Sequence, residues 1–264
     1  MINYFNYVHL VTLIAAAGFV AAIYFPLRNR SIFAKEVALF SLMILNLTQH
    51  LFKSFFWPHL WGSGFGIINT AYNVCAILII SSPFVLLSGN NLLKQFVAYV
   101  GTIGPAVTLM VPYWFVGQTV FTWEFARFWT CHTLLVATSL LPALWGMVKF
   151  NRRDGWKFGL VFIAMLTLIL ANDAVFLLVL GQATTETLYS ELSARNPLWT
   201  MGPFGGIESL KYAFEVLSPG FLREPYIPVL WYAIPLYLYI TAIAYLLGRI
   251  TDRRRQQRAV PLTG

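Results

Sequence analysis

Four side chains of the kinds that make or serve a nucleophile, His50, Cys75, His132 and Asp173, fall inside four different apolar stretches of the chain. A thiol attacks as its thiolate, so it needs a base, and the base needs an acceptor that orients it. One cysteine, two histidines and one aspartate supply those parts. The same groups could instead ligate a metal such as zinc, although the chain has neither an HExxH motif nor paired histidines at helical spacing. Inside a bilayer such groups are costly and face a protein interior or a wet cavity. Each also has a plainer use. Asn172 with Asp173, and Gln49 with His50, can cross-link helices by hydrogen bonds; Cys75 can be a small packing residue and His132 a satisfied core histidine.

What must position these residues is legible in the composition. The 264 residues are 58% hydrophobic and only 11% charged, whereas a soluble domain is about half apolar and about a quarter charged. Seven apolar runs, near 7–27, 34–56, 67–88, 95–116, 126–148, 157–181 and 226–248, are each roughly the 20 residues that a hydrocarbon core of about 30 Å requires. The expectation is an all-α integral membrane protein, a seven-transmembrane-helix bundle. The first run is read as a retained helix, because Met1 to Tyr7 carries no basic residue of the kind that opens a signal peptide.

Basic residues set the direction of threading. Loop 27–35 carries Arg28, Arg30 and Lys35; loop 89–94 carries Lys94. Loop 149–157 carries Lys149, Arg152, Arg153 and Lys157, and the tail carries Arg249, Arg253, Arg254, Arg255 and Arg258. These are 13 of the 18 Lys and Arg, and an odd number of spans puts them all on one side. The N-terminus is therefore expected outside and the C-terminus inside. Residues 1–250 form a single membrane domain with an outer excursion at 182–225, followed by a basic cytoplasmic tail, 251–264. The expected location is an integral, multi-pass one, in the cytoplasmic membrane if the source is bacterial.

With that threading, His50, Cys75, His132 and Asp173 lie six to eight residues from the outward ends of their segments, a depth of about 9–12 Å at 1.5 Å per residue. Four such groups in one layer point to a single built site. On segment 3, Asn69 and Asn73 stand one helical turn apart with Tyr72 beside them. His132 lies a turn below Phe128 and two turns above Ser139. Arg127 stands near the outer mouth, where a phosphate or carboxylate could meet it, or where Glu124 could neutralise it.

The remaining features exclude more than they assign. Cys75 and Cys131, the two cysteines, make no disulfide framework. The net charge of +8 is split among short loops and forms no stripe, so no nucleic-acid partner is expected. The Arg253–Arg258 cluster reads as a stop-transfer signal or as a contact for anionic lipid. No inverted repeat supports a transporter. In the excursion, Asn196-Pro197, Gly205-Gly206 and Ser218-Pro219-Gly220 are breakers. Between the last two, Ile207, Leu210, Phe214 and Leu217 recur opposite Glu208, Lys211 and Glu215, the pattern of a short amphipathic helix. Such a helix rests on the bundle surface or closes over the site. Trp57, Trp61, Trp114, Trp123, Trp199, Trp231 and Tyr232 read as interface anchors.

The run Asn69, Thr70, Ala71, Tyr72, Asn73, Val74, Cys75, then the loop Gly89 to Lys94, then Pro112, Tyr113, Trp114, then Arg127 to His132, and finally Asn172, resembles bacterial YwaF-type membrane proteins and their eukaryotic relatives, the transmembrane ether-lipid acyltransferases. The family's cysteine and histidine are matched by Cys75 and His132. Where many relatives carry a histidine two residues before the cysteine and a proline four before, this chain has Asn73 and Ala71. The resemblance implies acyl transfer on membrane lipids with Cys75 as nucleophile.

The preferred function is therefore an intramembrane, lipid-modifying acyltransferase that needs no cofactor and has membrane lipids as partners. Cys75 would carry the acyl group and His132 would act as base and then acid. Asp173 or Asn172 would orient the histidine, and Asn73 would stabilise the oxyanion. Asn69, Tyr72, His50 and Arg127 would line the substrate site. The alternative is a non-catalytic heptahelical receptor or binding protein that uses the same layer as a ligand pocket; a retinal Schiff base is excluded, since segment 7 holds no lysine. A transporter or metal-binding membrane protein comes third.

Overall fold

The computed structural model describes residues 1–56, 66–112, 115–195, 201–202 and 208–259. Trp57, Trp61, Trp114, Trp199 and the breakers at 196–197 and 205–206 lie outside them. The described residues are helical apart from turns and one isolated bridge between Arg223 and Tyr226. Each of the seven expected segments contains a helix, and four helices are long and apolar enough to cross a membrane: α1 (Tyr7–Leu27), α2 (Ile32–Leu51), α5 (Asn91–Met110) and α7 (Gly155–Val179). Between α2 and α5 lie the short α3 (Lys53–Phe56) and the apolar α4 (Val74–Leu87); α6 is Trp123–Leu144. Beyond α7 follow α8 (Leu188–Arg195), α9 (Glu208–Glu215) and α10 (Leu230–Ala259), whose apolar part is Leu230–Leu246.

Helix ends follow local chemistry. Asn6, Ser31, Asn90 and Thr122 cap α1, α2, α5 and α6, each side-chain oxygen accepting from a backbone N–H inside the first turn. Two helices stop at glycines that adopt the left-handed conformation, Gly146 after α6 (φ 73°) and Gly181 after α7 (φ 64°). Past Gly146, the Met147 N–H donates to the Pro142 carbonyl at 2.8 Å; past Gly181, the Gln182 N–H donates to the Leu177 carbonyl at 2.9 Å. Both are Schellman endings, which occupy carbonyls that a helix end otherwise leaves open.

The third segment differs from its expectation. Instead of a helix over 67–88, Ile67–Asn69 forms one 3-10 turn and α4 begins only at Val74. The cause is short polar side chains that bond their own backbone. The Gly66 N–H donates to Asn69 Oδ1 at 3.0 Å, and the Thr70 hydroxyl donates to the Ile67 carbonyl at 2.6 Å. Such local bonds offer the chain an alternative to the helix. Asn69, Tyr72 and Asn73 therefore form no helical stripe, and Cys75 lies in the first turn of α4 rather than two turns into a helix. At the other end, α10 continues to Ala259, so most of the basic tail is helical; Arg and Gln are good helix formers.

The chain forms two compact units, Met1–Phe65 with Cys75–Lys149, and Gly66–Val74 with Phe150–Gly264. In the first, α6 is the hub, with α1, α2 and α5 packed around it. One end of this packing is an aromatic group in which Phe115 meets Phe125 and Phe128 at centroid distances of 5.6 and 4.7 Å. In the second unit, α7 and α10 pack closely through small residues. A Cβ at Gly159 would come within 2.5 Å of the Tyr237 ring and 3.0 Å of Tyr237 Cα. Over 208–215 the amphipathic pattern becomes α9, which rests on α10. Phe214 packs edge-on against Trp231, Tyr232 and Tyr239, and the Tyr239 hydroxyl donates to the Ala213 carbonyl at 2.7 Å.

Candidate functional site

Three of the four residues of the expected layer, His50, Cys75 and His132, belong to the first unit; Asp173 belongs to the second. In the first unit the site is assembled by α2 and α6. Two amides on α2, three residues apart, reach two carbonyls on α6, four residues apart. The Asn46 side-chain N–H donates to the Cys131 carbonyl at 3.1 Å, and the Gln49 side-chain N–H donates to the Arg127 carbonyl at 3.3 Å. These bonds fix the two helices so that buried His50, in the last turn of α2, and fully buried Lys53, just beyond it, lie along the same stretch as Arg127, Cys131 and His132. Lys53 is within electrostatic reach of both Arg127 and Cys131.

His132 is half-buried and accommodated by its own helix. Its Nδ1 lies 2.7 Å from the Phe128 carbonyl and its ring stacks, tilted, on the Phe128 ring at 4.5 Å. A carbonyl only accepts, so Nδ1 carries the proton and Nε2 keeps its lone pair. The acceptor that orients the imidazole is thus the Phe128 carbonyl, not a carboxylate. His9 provides a contrast in the same unit. Its Nδ1 accepts from the Phe5 N–H at 3.0 Å and its Nε2 donates to the Leu109 carbonyl at 2.9 Å. Both nitrogens of His9 are committed, and it ties α1 to α5.

Cys75 carries a free, half-buried thiol, while that of Cys131 is free and buried. The two are within electrostatic reach of one another. Among the described residues no hydrogen bond joins Cys75 to His132, and no three His, Cys, Asp or Glu side chains converge as a metal site requires.

In the second unit, the 3-10 turn Ile67–Asn69 packs against α7. The Asn172 side-chain N–H donates to Thr70 Oγ1 at 2.8 Å and to Asp173 Oδ1 at 3.2 Å. Asp173 is buried and within electrostatic reach of Arg195 on α8. Asn69 is fully buried with its carbonyl oxygen on Gly66, whereas Tyr72 and Asn73 are half-buried. Asn172 and Asp173 therefore act as a local cross-link between α7 and the segment that precedes α4.

Gln49, expected to cross-link helices, does so through the Arg127 carbonyl, whereas two residues of the first unit, Lys53 and Asn46, escaped the reading of the sequence. Lys53 resembled a basic residue at a helix end, and only its complete burial marks it as exceptional, because a buried ammonium is costly unless charge or dipoles compensate it. Asn46 precedes His50 by four residues, a helical spacing that could have drawn attention to it.

No curated protein and no solved structure is detectably similar to the chain. A protein-family model does match, over residues 4–199. That range takes in α1 to α8 and every candidate residue named above, from His50 to Asp173, and leaves out α9 and α10. With most of its length matched in this way, the chain belongs to the TMEM164 family, a family of membrane proteins.

Proposed function

We propose that the chain is a seven-span, intramembrane acyltransferase acting on membrane lipids, threaded with its N-terminus outside and its C-terminus inside. The observation that carries this reading is the fixed tautomer of His132, which leaves Nε2 its lone pair one residue from Cys131, the residue within electrostatic reach of Cys75. A base so prepared can take a proton from a thiol.

In the reaction, Cys75 Sγ attacks an ester carbonyl of a donor lipid as its proton passes to His132 Nε2. The carbon–oxygen bond to the leaving alcohol breaks, and that alcohol takes the proton from His132. A thioester remains on Cys75. The hydroxyl of an acceptor lipid then gives its proton to Nε2 and attacks the thioester, and the departing thiolate recovers the proton. Lys53 and Arg127 supply positive charge for a lipid phosphate, and His50 lines the same stretch. Orientation of His132 falls to the Phe128 carbonyl. The YwaF-type resemblance around Cys75 supports the same chemistry.

One observation favours a second reading, a non-catalytic lipid-binding protein: the absence of a hydrogen bond between Cys75 and His132 among the described residues. The experiment that separates them compares the lipids of cells carrying the wild type with those carrying Cys75→Ala. We expect acyl exchange to fall to background in the variant at near wild-type abundance, and an acyl-bearing electrophilic probe to label Cys75 and spare Cys131. Normal exchange in Cys75→Ala would end the acyltransferase reading and leave the binding protein.

A further inference from the structure

The first six residues close one end of the first unit, the end where α1 and α6 begin and α5 stops. They form a hook, in which the Asn6 side-chain N–H donates to the Met1 carbonyl at 3.0 Å. Main-chain bonds fasten the hook to the loop between α5 and α6. The Ile2 N–H donates to the Gln118 carbonyl at 2.7 Å, and the Ile2 carbonyl accepts from the Gly117 N–H at 2.8 Å. The Ile2 side chain is thereby carried inward, and it is fully buried in one apolar group with Ala16, Leu109, Phe115, Phe125 and Phe128.

This group stands next to His132. Phe125 and Phe128 precede it on α6 by seven and four residues, about two turns and one. The Phe128 ring meets the Phe115 ring at 4.7 Å and the His132 ring at 4.5 Å. Trp129 closes the seam beside them, its indole N–H donating to the Thr12 carbonyl on α1 at 3.0 Å. Neither Met1–Leu27 nor residues 95–123 contain an Asp, Glu, Lys or Arg, so these segments offer water no charged partner. A wall of this kind stays dry, because a buried water needs at least about two polar partners to settle.

Dryness matters to the acyl transfer proposed above, on which this inference rests. The lone pair on His132 Nε2 that takes a proton from a lipid hydroxyl can also take one from water. The water oxygen would then attack the thioester carbonyl on Cys75 and the carbon–sulfur bond would break. The thiolate would recover the proton from His132, and a free fatty acid would leave in place of a new lipid ester. Enclosed sites protect reactive intermediates by keeping water from them. We propose that Ile2 is a specificity-determining residue, the plug that keeps this end of the first unit dry and so directs the acyl group from Cys75 to a lipid hydroxyl rather than to water. It acts through the aromatic group beside His132 and takes no part in the bonds made or broken.

The test uses the purified full chain in nanodiscs of equal dioleoyl phosphatidylethanolamine and phosphatidylglycerol, supplied with odd-chain lysolipids of both head groups in water enriched in heavy oxygen. Oleate that has gained a heavy oxygen counts hydrolysis, and oleoylated lysolipid counts transfer. Their ratio does not change with the fraction of protein that is folded. Ile2→Asn raises the ratio of hydrolysis to transfer by about tenfold, a change in relative barrier of about 1.4 kcal/mol, because an amide among phenyl rings draws water to itself. Ile2→Leu keeps the wild-type ratio. Ile169→Ala, which removes buried packing from α7 in the second unit, lowers the melting temperature and leaves the ratio as it was. An unchanged ratio in Ile2→Asn, or an equal rise in Ile169→Ala, overturns the proposal and leaves the acyltransferase reading in place. Heavy oleate from Ile2→Asn combined with Cys75→Ala also overturns it, since that acid would not come from the thioester. Absence of both products from the wild type ends the acyltransferase reading itself, and this inference with it.

Discussion

Two histidines on membrane helices differ by a single nitrogen. His9 has both ring nitrogens bonded, to Phe5 and Leu109, while His132 spends Nδ1 on Phe128 and keeps Nε2. Substitution should separate the two roles. His132→Gln is expected to lower acyl exchange by about a hundredfold or more, the lower range of what general acid–base catalysis contributes, with folded abundance near wild type. His9→Ala is expected to lower stability by about 1–3 kcal/mol, the cost of orphaning buried partners, with chemistry per folded molecule preserved. Turnover and detergent-melting midpoints of the two purified variants decide it; equal melting losses in both would make His132 a structural histidine too. Residue types alone did not carry this distinction. His132 could be picked out for its depth within an apolar run, but the donors and acceptors that separate it from His9 come from other helices or from the turn behind it. Lys53 was missed for a related reason. A lone lysine at the end of an apolar run looks the same whether it reaches solvent or is enclosed.

At the level of elements, starts and stops were the most legible features. Asn6, Ser31, Asn90 and Thr122 are strong capping types, and Gly146 and Gly181 mark C-termini. Residues 67–73 were not legible, because an apolar flank looks helical until Asn69 and Thr70 bond their own backbone. The amphipathic spacing around Phe214 did identify α9, and its contact with the segment ahead of α10 gives a pH dependence. Tyr226, which precedes the apolar helix Leu230–Leu246, donates its hydroxyl to Glu215 at 2.5 Å. Burial first, then this hydrogen bond to Glu215, push the Tyr226 hydroxyl up to about 12. A group raised in the folded state stabilises fully below its unfolded pKa of about 10 and loses that contribution as pH climbs through the folded value. The stabilising effect of Tyr226 over Tyr226→Phe, read as a difference in melting temperature, should therefore be constant at neutral pH and shrink from about pH 10 to 12. A difference that grows across that window would contradict the contact.

For the molecule as a whole, membrane class followed directly from composition, since helices of this apolarity have few other places to be stable. The proposed threading is argued from charge alone, and it has a sharp test. A cysteine placed at Arg254, in a chain otherwise freed of cysteine, should resist an impermeant thiol reagent in intact cells and react once the membrane is opened. Labelling in intact cells reverses the orientation. The helix α6 adds something at this scale. Its one interior proline, Pro142, lies beyond both His132 and Ser139, so the seven residues that separate them form an unbroken rod about 10 Å long. The imidazole and the serine hydroxyl are thus two marks on one lever, clasped by α1, α2 and α5. A shift of the rod along its axis therefore carries both groups by the same distance.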